Sequence, residues 1–344
     1  MHILMTGHNG YLGSVMGPHL EAAGHQVTGL DTDYFASCSI VPPAELPGRR
    51  RDLRELEPDD LDGFDAVVHL GALSNDPIGN LNDGWTEQIN FEASVRLADL
   101  AREAGVERFL FSSSCIMYGE SEAQVVTEDS PLGPKTEYAR SKVKAERALV
   151  ELARDGFSPT YLRNGTVYGL SPRMRFDTVL NDLVTQGLTT KRVVLQGDGS
   201  PWRPVIHVKD VARAFQTVLD APIEVVHNQA FNTGADHLNY TIRQLADIAV
   251  ELTDSELEIL GSPSSDQRTY KASFGKFAAA FPDHNWQFDA ASGARDLHDD
   301  LVAAGVTRDD YESNRFVRLR WLNHLMESGK LDQSLRWTDQ AVSA

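Results

Sequence analysis

The sequence predicts an α/β protein, a doubly wound parallel sheet with a smaller C-terminal α/β region. Three observations carry that expectation. Short apolar strands alternate with amphipathic helices through the first 170 residues, the order that a parallel sheet with crossover helices requires. The opening MHILMTGHNGYLG runs from an apolar strand into Gly7, Gly10 and Gly13 and then into a helix, which is the phosphate-binding corner of a Rossmann-type fold. Past residue 170 the alternation gives way to longer, turn-rich stretches such as GDGSPWRP.

The elements follow in order. The first strand spans 2–6, and the three glycines after it have separate tasks. Gly7 lets the chain turn sharply off the strand, Gly10 lets backbone N–H groups approach a pyrophosphate, and Gly13 lets the helix pack close to the strand. The helix N-terminus then offers free N–H groups and a partial positive charge to phosphates. The corner sits so early that the reading leaves no room for a leader segment. Pro18 falls inside this helix, where it removes a hydrogen bond and is expected to kink it. The second strand, 26–31, ends on Asp31. A carboxylate there can bind the adenosine ribose hydroxyls and repels a 2′-phosphate, so NAD is favoured over NADP. Further strands are expected at 65–70, 108–113 and 159–163, and helices at 86–104 and 138–154, where apolar residues recur every three or four positions. Residues 1–170 thus read as a NAD-binding domain, with returns at about 205–235. Segment 171–204, with a helix at 175–187 and a strand at 193–195, joins 236–330 as a substrate-binding region that ends in the helical 314–329. Residues 331–344 read as a polar tail.

Composition narrows the function class. The chain has 344 residues, 41% of them hydrophobic, and 32 basic against 50 acidic residues for a net charge of −18. So acidic a chain has no bulk electrostatic attraction to nucleic acid or to anionic membranes. No apolar run approaches the length of a membrane span. Cys38 and Cys115 form neither a disulfide framework nor a metal-ligand cluster, and a reducing cytoplasm is the expected compartment.

The residues that can do chemistry begin with Tyr138 and Lys142 in YARSK, four apart and therefore on one helix face. A free tyrosine has a pKa of about 10, and a nearby ammonium favours the phenolate. The pair makes an acid/base usable near neutrality; read alone, it is equally a solvated helix face. The serine run SSSCIMYG closes the fourth strand, at the end of the sheet where ligands sit in such folds. Ser114 is the hydroxyl expected beside Tyr138, with Ser112 and Ser113 read as caps of the following turn. Cys115 either faces substrate or packs.

Taken together, TGHNGYLG, Asp31, HLGALS, SSSCIMYG, YARSK, LRNGTVYG and PWRPVIHVKDVARA resemble the extended short-chain dehydrogenase/reductase family. Within it they are similar to the NAD-dependent nucleotide-sugar epimerase/dehydratase group. The resemblance covers residues 1–235 in order and the remainder loosely. It implies that Gly7, Asn9, Gly10, Tyr11, Leu12 and Gly13 hold the cofactor pyrophosphate and that Asp31 holds its ribose. Asp52 and Leu53 would meet the adenine. Leu70, Gly71 and Ala72 would run beside the cofactor, and Asn90 would support the site. Ser114, Tyr138 and Lys142 match the catalytic triad, with Lys142 also on the nicotinamide ribose. Asn181, Arg203 and Arg268 match residues that hold the sugar nucleotide; for the two arginines a surface ion pair is the bland alternative. The loop SNDPIGN places Ser74 and Asn75 toward the sugar, and Cys115, Asn164 and Thr166 complete the substrate side.

Two departures from the family pattern sharpen the activity. Dehydratases of the group carry an Asp-Glu pair after the catalytic hydroxyl residue, whereas this chain has Cys115 and Ile116, which disfavours dehydration. Thr166 stands where sugar 4-epimerases often carry asparagine, with Asn164 two residues earlier. The resemblance implies a NAD-dependent nucleotide-sugar epimerase acting at C4 through a transient 4-keto sugar. The alternatives are a nucleotide-keto-sugar reductase consuming NAD(P)H and a non-catalytic dinucleotide sensor. A homodimer through helices 86–104 and 138–154 is also implied, unless their Leu97, Leu100, Leu149 and Leu152 serve the chain's own core.

Overall fold

Seven parallel strands form the centre of the computed structural model, which describes residues 1–74, 82–120, 125–261 and 269–338. They are β1 (His2–Thr6), β2 (Gln26–Asp31), β3 (Gly48–Arg50), β4 (Ala66–His69), β5 (Arg108–Ser114), β6 (Ser158–Asn164) and β10 (Gln229–Thr233). Their order across the sheet is β10-β6-β5-β4-β1-β2-β3. The direction of winding reverses between β1 and β4, and ligands bind at such a crevice, outside the carboxyl ends of the strands. β4 and β6 are buried along their whole length, as expected of strands covered by helices on both faces.

One face packs Met16 and Leu20 against Val211, Phe215 and Val218. The other packs Leu97, Ala98 and Leu149 against Val67, Phe109 and Tyr161. Of the leucines weighed for a dimer seam, Leu97, Leu100 and Leu149 therefore belong to the chain's own core, and the partly buried Leu152 packs against it. Helix Gly13–Ala22 runs through Pro18 as one element, held by Met16 and Leu20 in that core. The helix expected at 86–104 is Asp83–Thr86, then a π-helical stretch Glu87–Glu92, then Ala93–Glu103. π-Helical stretches inside α-helices are frequent at functional sites.

The return to the first domain is only partial. Helix Val208–Asp220 packs beside the first helix, with His19 bonded to Gln216 at 2.7 Å, and β10 joins the large sheet. β9 (Trp202–His207) does not; it pairs with β7 (Thr166–Tyr168) and β11 (Asn239–Thr241) in a separate three-stranded sheet. β8 (Arg192–Leu195) and β12 (Glu256–Ile259) form a parallel pair. Helices Val179–Thr190, Ile242–Thr253 and Ala290–Ala303 cover these small sheets, burying Leu180, Val184, Leu245 and Leu297. Residues 331–338 are not a tail: Leu331 and Leu335 are buried among Tyr34, Trp85 and Leu325. Among the described residues, no helix is long and apolar enough to cross a membrane.

Candidate active site

A cleft of about 1800 Å³ opens along the carboxyl ends of the large sheet. The glycine corner forms its floor. Gly7 sits at φ +74°, and a Cβ there would lie 2.9 Å from Gly71 N. At Gly13 a Cβ would fall 2.3 Å from Gly7 O, so any side chain would push the helix off the strand. Gly10 donates to Gly7 O at 3.0 Å. No side chain caps the helix that starts at Gly13. Ser14 N donates to Gly10 O at 3.1 Å and Met16 N to Leu12 O at 2.9 Å, so the positive end of the helix is held by the turn's own backbone and faces the corner without a competing side chain. This bare, side-chain-free cradle fits a dinucleotide pyrophosphate.

Asp31 completes the corner. Its two oxygens accept the N–H groups of Asn9 (3.0 Å) and Asp33 (2.9 Å). Burial pushes its carboxyl above the usual range, with the neighbouring Asp33 adding to the rise and the two N–H bonds opposing it. Asn9 and Gly13 stand behind the cleft wall: the Asn9 amide donates to Asp33 at 2.7 Å. Tyr11 and Leu12 line the cleft, as do Leu53, Leu70, Gly71 and Ala72. Gly71 N donates to Thr6 Oγ1 at 3.2 Å. Asp52 also lines the cleft, its carboxylate paired with Arg54 at 2.6 Å.

The end of the cleft where a reaction is expected gathers side chains from separate elements. Tyr138 and Lys142 project from helix Glu137–Leu152, which starts where Thr136 caps Ala139 N. Lys142 Nζ lies 5.8 Å from the Tyr138 ring centre and 4.5 Å from that of Phe111. It donates to Ser112 O at 2.7 Å. Burial pushes the Lys142 ammonium down to about 8, against the pull of Glu146 one turn on. Ser112, Ser113 and Ser114 all line the cleft. The capping role expected of the first two falls instead to Ser114, whose Oγ accepts Ile116 N at 3.3 Å. That bond leaves the Ser114 hydroxyl proton free to donate. Asn164 donates to Ser112 Oγ at 3.2 Å, while its own Oδ1 is buried without a partner. Thr166, Ser74 and Arg203 line the same cleft.

Besides Asn9 and Gly13, three more expected contacts are not cleft contacts. Cys115 is fully buried with Tyr118, Val126, Tyr270 and Phe274 and donates to Arg163 O at 3.1 Å; burial pushes its thiol far up. It packs: Cys115 opens the 3-10 turn Cys115–Tyr118, and that turn carries its side chain into the apolar cluster while Ile116 lines the cleft. Asn181 is fully buried and spans Gly169 N (2.8 Å), Tyr11 Oη (3.0 Å) and Arg175 O (3.0 Å), so it shapes the wall without reaching a ligand. Asn90, also fully buried, grips both main-chain groups of Leu73 at 2.8 and 3.1 Å and reaches Ser141 at 3.4 Å. It braces the loop after β4 and does not reach the cofactor cradle. Asn75 and Arg268 lie outside the described residues.

Residues not expected from the sequence also line the cleft: Tyr34, Phe35, Arg175 and Arg318. Arg175 donates to Asp177 (2.8 Å) and to Ser74 Oγ (3.1 Å). Arg318 stacks 4.2 Å over Phe35, and burial beside Arg175 pushes its guanidinium down to about 10. The basic pair in SPRMRF was the available signal for Arg175; Arg318 had none.

The profile of the NAD dependent epimerase/dehydratase family matches residues 3–234. UDP-glucose 4-epimerase of Corynebacterium glutamicum is 28% identical over 326 residues, 86% of this chain and 98% of that one. dTDP-glucose 4,6-dehydratase of Streptomyces griseus is 30% identical over 237 residues, 63% of this chain and 69% of that one. Among solved structures, MoeE5 in complex with UDP-glucuronic acid and NAD is 25% identical with a TM-score of 0.78, covering 89% of this chain and 100% of that one.

Proposed function

The chain belongs to the NAD dependent epimerase/dehydratase family, and we propose that it is a nucleotide-sugar epimerase acting at the sugar C4 carbon. The observation that carries this reading is the pair of residues after Ser114. Cys115 is buried away from the cleft and Ile116 lines it, and neither side chain can protonate a departing hydroxyl or remove a ring proton. That leaves the strand end suited to hydride exchange and proton transfer at one carbon. The name of the Corynebacterium relative supports the same reaction, and the ligand of MoeE5 supports a uridine diphosphate sugar as substrate class.

NAD, when bound, supplies the hydride acceptor and donor. The chain's own residues handle the proton and the geometry. The Tyr138 phenolic oxygen takes the proton from the C4 hydroxyl and returns it to the same oxygen after the face has changed. The Ser114 hydroxyl donates to that oxygen and steadies its charge. Lys142, pinned by Ser112 O, holds positive charge beside Tyr138 and favours its phenolate. Thr166 and Asn164, with its unpartnered Oδ1, offer polar contacts to the sugar, and Arg203 suits the substrate pyrophosphate. A homodimer belongs to the same reading, and light scattering of the purified chain tests it separately.

The test of the reaction is direct. Purified protein incubated with UDP- and dTDP-hexoses, without added reductant, is expected to interconvert C4 epimers followed by NMR. Turnover of 4-keto sugars with NADH, and none of hexoses without it, would overturn the epimerase and favour the reductase.

A further inference from the structure

After helix Arg318–Glu327 the chain turns back at Gly329, which sits at φ +70°. Residues 329–338 close on themselves: Asp332 N donates to Arg336 O at 2.8 Å and Thr338 N to Lys330 O at 3.0 Å. This strap then lies against two loops of the cofactor half, 32–35 after β2 and 50–55 around the end of β3. Trp337 Nε1 donates to Thr32 O at 2.6 Å. The Tyr34 hydroxyl donates to Leu335 O, and Trp321 Nε1 donates to Tyr34 O at 2.7 Å. On the other loop, Arg54 donates to Ser334 O at 2.7 Å and to Leu335 O at 3.2 Å. The same guanidinium holds Asp52. Arg50 sits 4.3 Å over the Trp337 ring, and Arg336 pairs with Glu55.

Thr32, Tyr34 and Asp52 line the cleft beside Asp31. The strap residues themselves do not. Main-chain groups in irregular loops take their geometry from whatever bonds them. Here Thr32 O accepts from Trp337 and Tyr34 O from Trp321 of the preceding helix, while the Arg54 side chain donates to Ser334 O and Leu335 O of the strap. We propose that the strap of residues 329–338, with Trp337 at its centre, is a positioning element for the cofactor. It holds the two loops flanking Asp31 at the separation that the adenosine half of a dinucleotide needs, and so sets how tightly that half is retained. Trp337 acts through its bond to Thr32 O and its ring, 5.8 Å from that of Tyr34, without touching the ligand. The inference rests on the dependence of the family on NAD and not on the identity of the reaction.

The experiment compares Trp337→Phe and Trp337→Ala in the full chain. NAD and adenosine 5′-monophosphate are titrated into cofactor-stripped protein below its melting temperature. The phenyl ring keeps an aromatic face for Arg50, smaller than the indole's, and loses the N–H bond, so its expected effect on both dissociation constants is about fivefold. Trp337→Ala, losing bond and ring, is expected to weaken both by about thirtyfold. The matched loss for the monophosphate assigns the effect to the adenosine end. Variants that melt earlier yet bind both ligands within twofold of the parent would overturn the proposal and leave the strap a purely structural element. If the alanine variant does not fold, the phenylalanine variant decides: unchanged affinity refutes the proposal. These readings need no turnover, so they stand whether or not the epimerase assignment does.

Discussion

The two ends of the cleft are built by opposite means. The glycine corner is local and bare: Gly7, Gly10 and Gly13 fall within seven residues, and their task is to present backbone where any Cβ would collide. The reacting end is remote and crowded with side chains. Ser114, Tyr138, Asn164 and Arg175 come from different segments and meet only because the sheet order brings them together. A largely buried chain of hydrogen bonds joins the two ends. Gly71 N donates to Thr6 Oγ1 at 3.2 Å, Thr6 meets His69 Nδ1 at 2.7 Å, His69 Nε2 meets Ser94 Oγ at 2.7 Å, and Ser94 donates to Asn90 O at 2.8 Å. In the proposed function, binding of the cofactor rests on the main chain, and chemistry rests on a few side chains held by others. Each end should fail in its own way.

The largest separation is expected from Tyr138→Phe. The phenolic oxygen is the proton acceptor in the proposed reaction, and general acid/base groups contribute about 10²–10⁴-fold. Turnover should fall by about a thousandfold while the dissociation constant for NAD, set at the glycine corner, stays within a few-fold. Equal loss of both would show that the two ends are not separable. A sensor without catalysis would lose nothing.

The joining chain gives the next effect, and it depends on pH. Ser94 Oγ donates onward to Asn90 O, so it accepts from His69 Nε2–H, and His69 Nδ1 must accept from the Thr6 hydroxyl. The ring is therefore neutral, and burial holds its pKa down to about 3, with Lys142 opposing its charge as well. In the unfolded chain a histidine titrates near 6.5. Because the folded value is the lower one, the contribution is present above pH 6.5 and is lost as pH falls toward 3. By pH 4 the loss is about 3 kcal/mol. Protonation would set a second donor against the Thr6 hydroxyl. His69→Gln removes the titrating ring, so unfolding free energy measured between pH 7 and 4 should fall less steeply in this variant than in the parent. Identical slopes would remove His69 as the source.

This contrast also explains what the sequence disclosed. The glycine corner, Asp31 and the alternation of strands and helices are short-range patterns, written in neighbouring residues, and the parallel sheet follows from them. Tyr138 and Lys142 were legible because helical spacing puts them on one face. Legibility stopped where direction and distance are set by tertiary packing. Cys115 and Asn181 stand beside cleft residues in sequence, yet their side chains point into the core. The expected return at about 205–235 assigned β9 to the first domain, but its partners are β7 and β11. The strap read as polar because LDQSLRWTDQ is mostly polar. Its meaning lies in Leu331, Leu335 and Trp337, which bond and pack some 280 to 300 residues upstream.

The smallest effect expected is at Asn90, where the joining chain meets the reacting end. Its amide satisfies both main-chain groups of Leu73, the residue before Ser74 in the cleft wall, and its Nδ2 also reaches Ser141 on the Tyr138 helix. Asn90→Ala leaves the Leu73 N–H and C=O buried and unpaired, at a cost of about 2 kcal/mol. Asn90→Asp keeps the acceptor for Leu73 N but turns the donor into an oxygen facing Leu73 O, so it should fare no better. If Asn90 only stabilises the fold, both variants lower the melting temperature and leave KM for the sugar nucleotide unchanged. Because it braces the loop that carries Ser74, KM is expected to rise several-fold while the affinity for NAD, held at the opposite end, is unchanged. A rise in the NAD dissociation constant without a rise in KM would place Asn90 with the glycine corner instead.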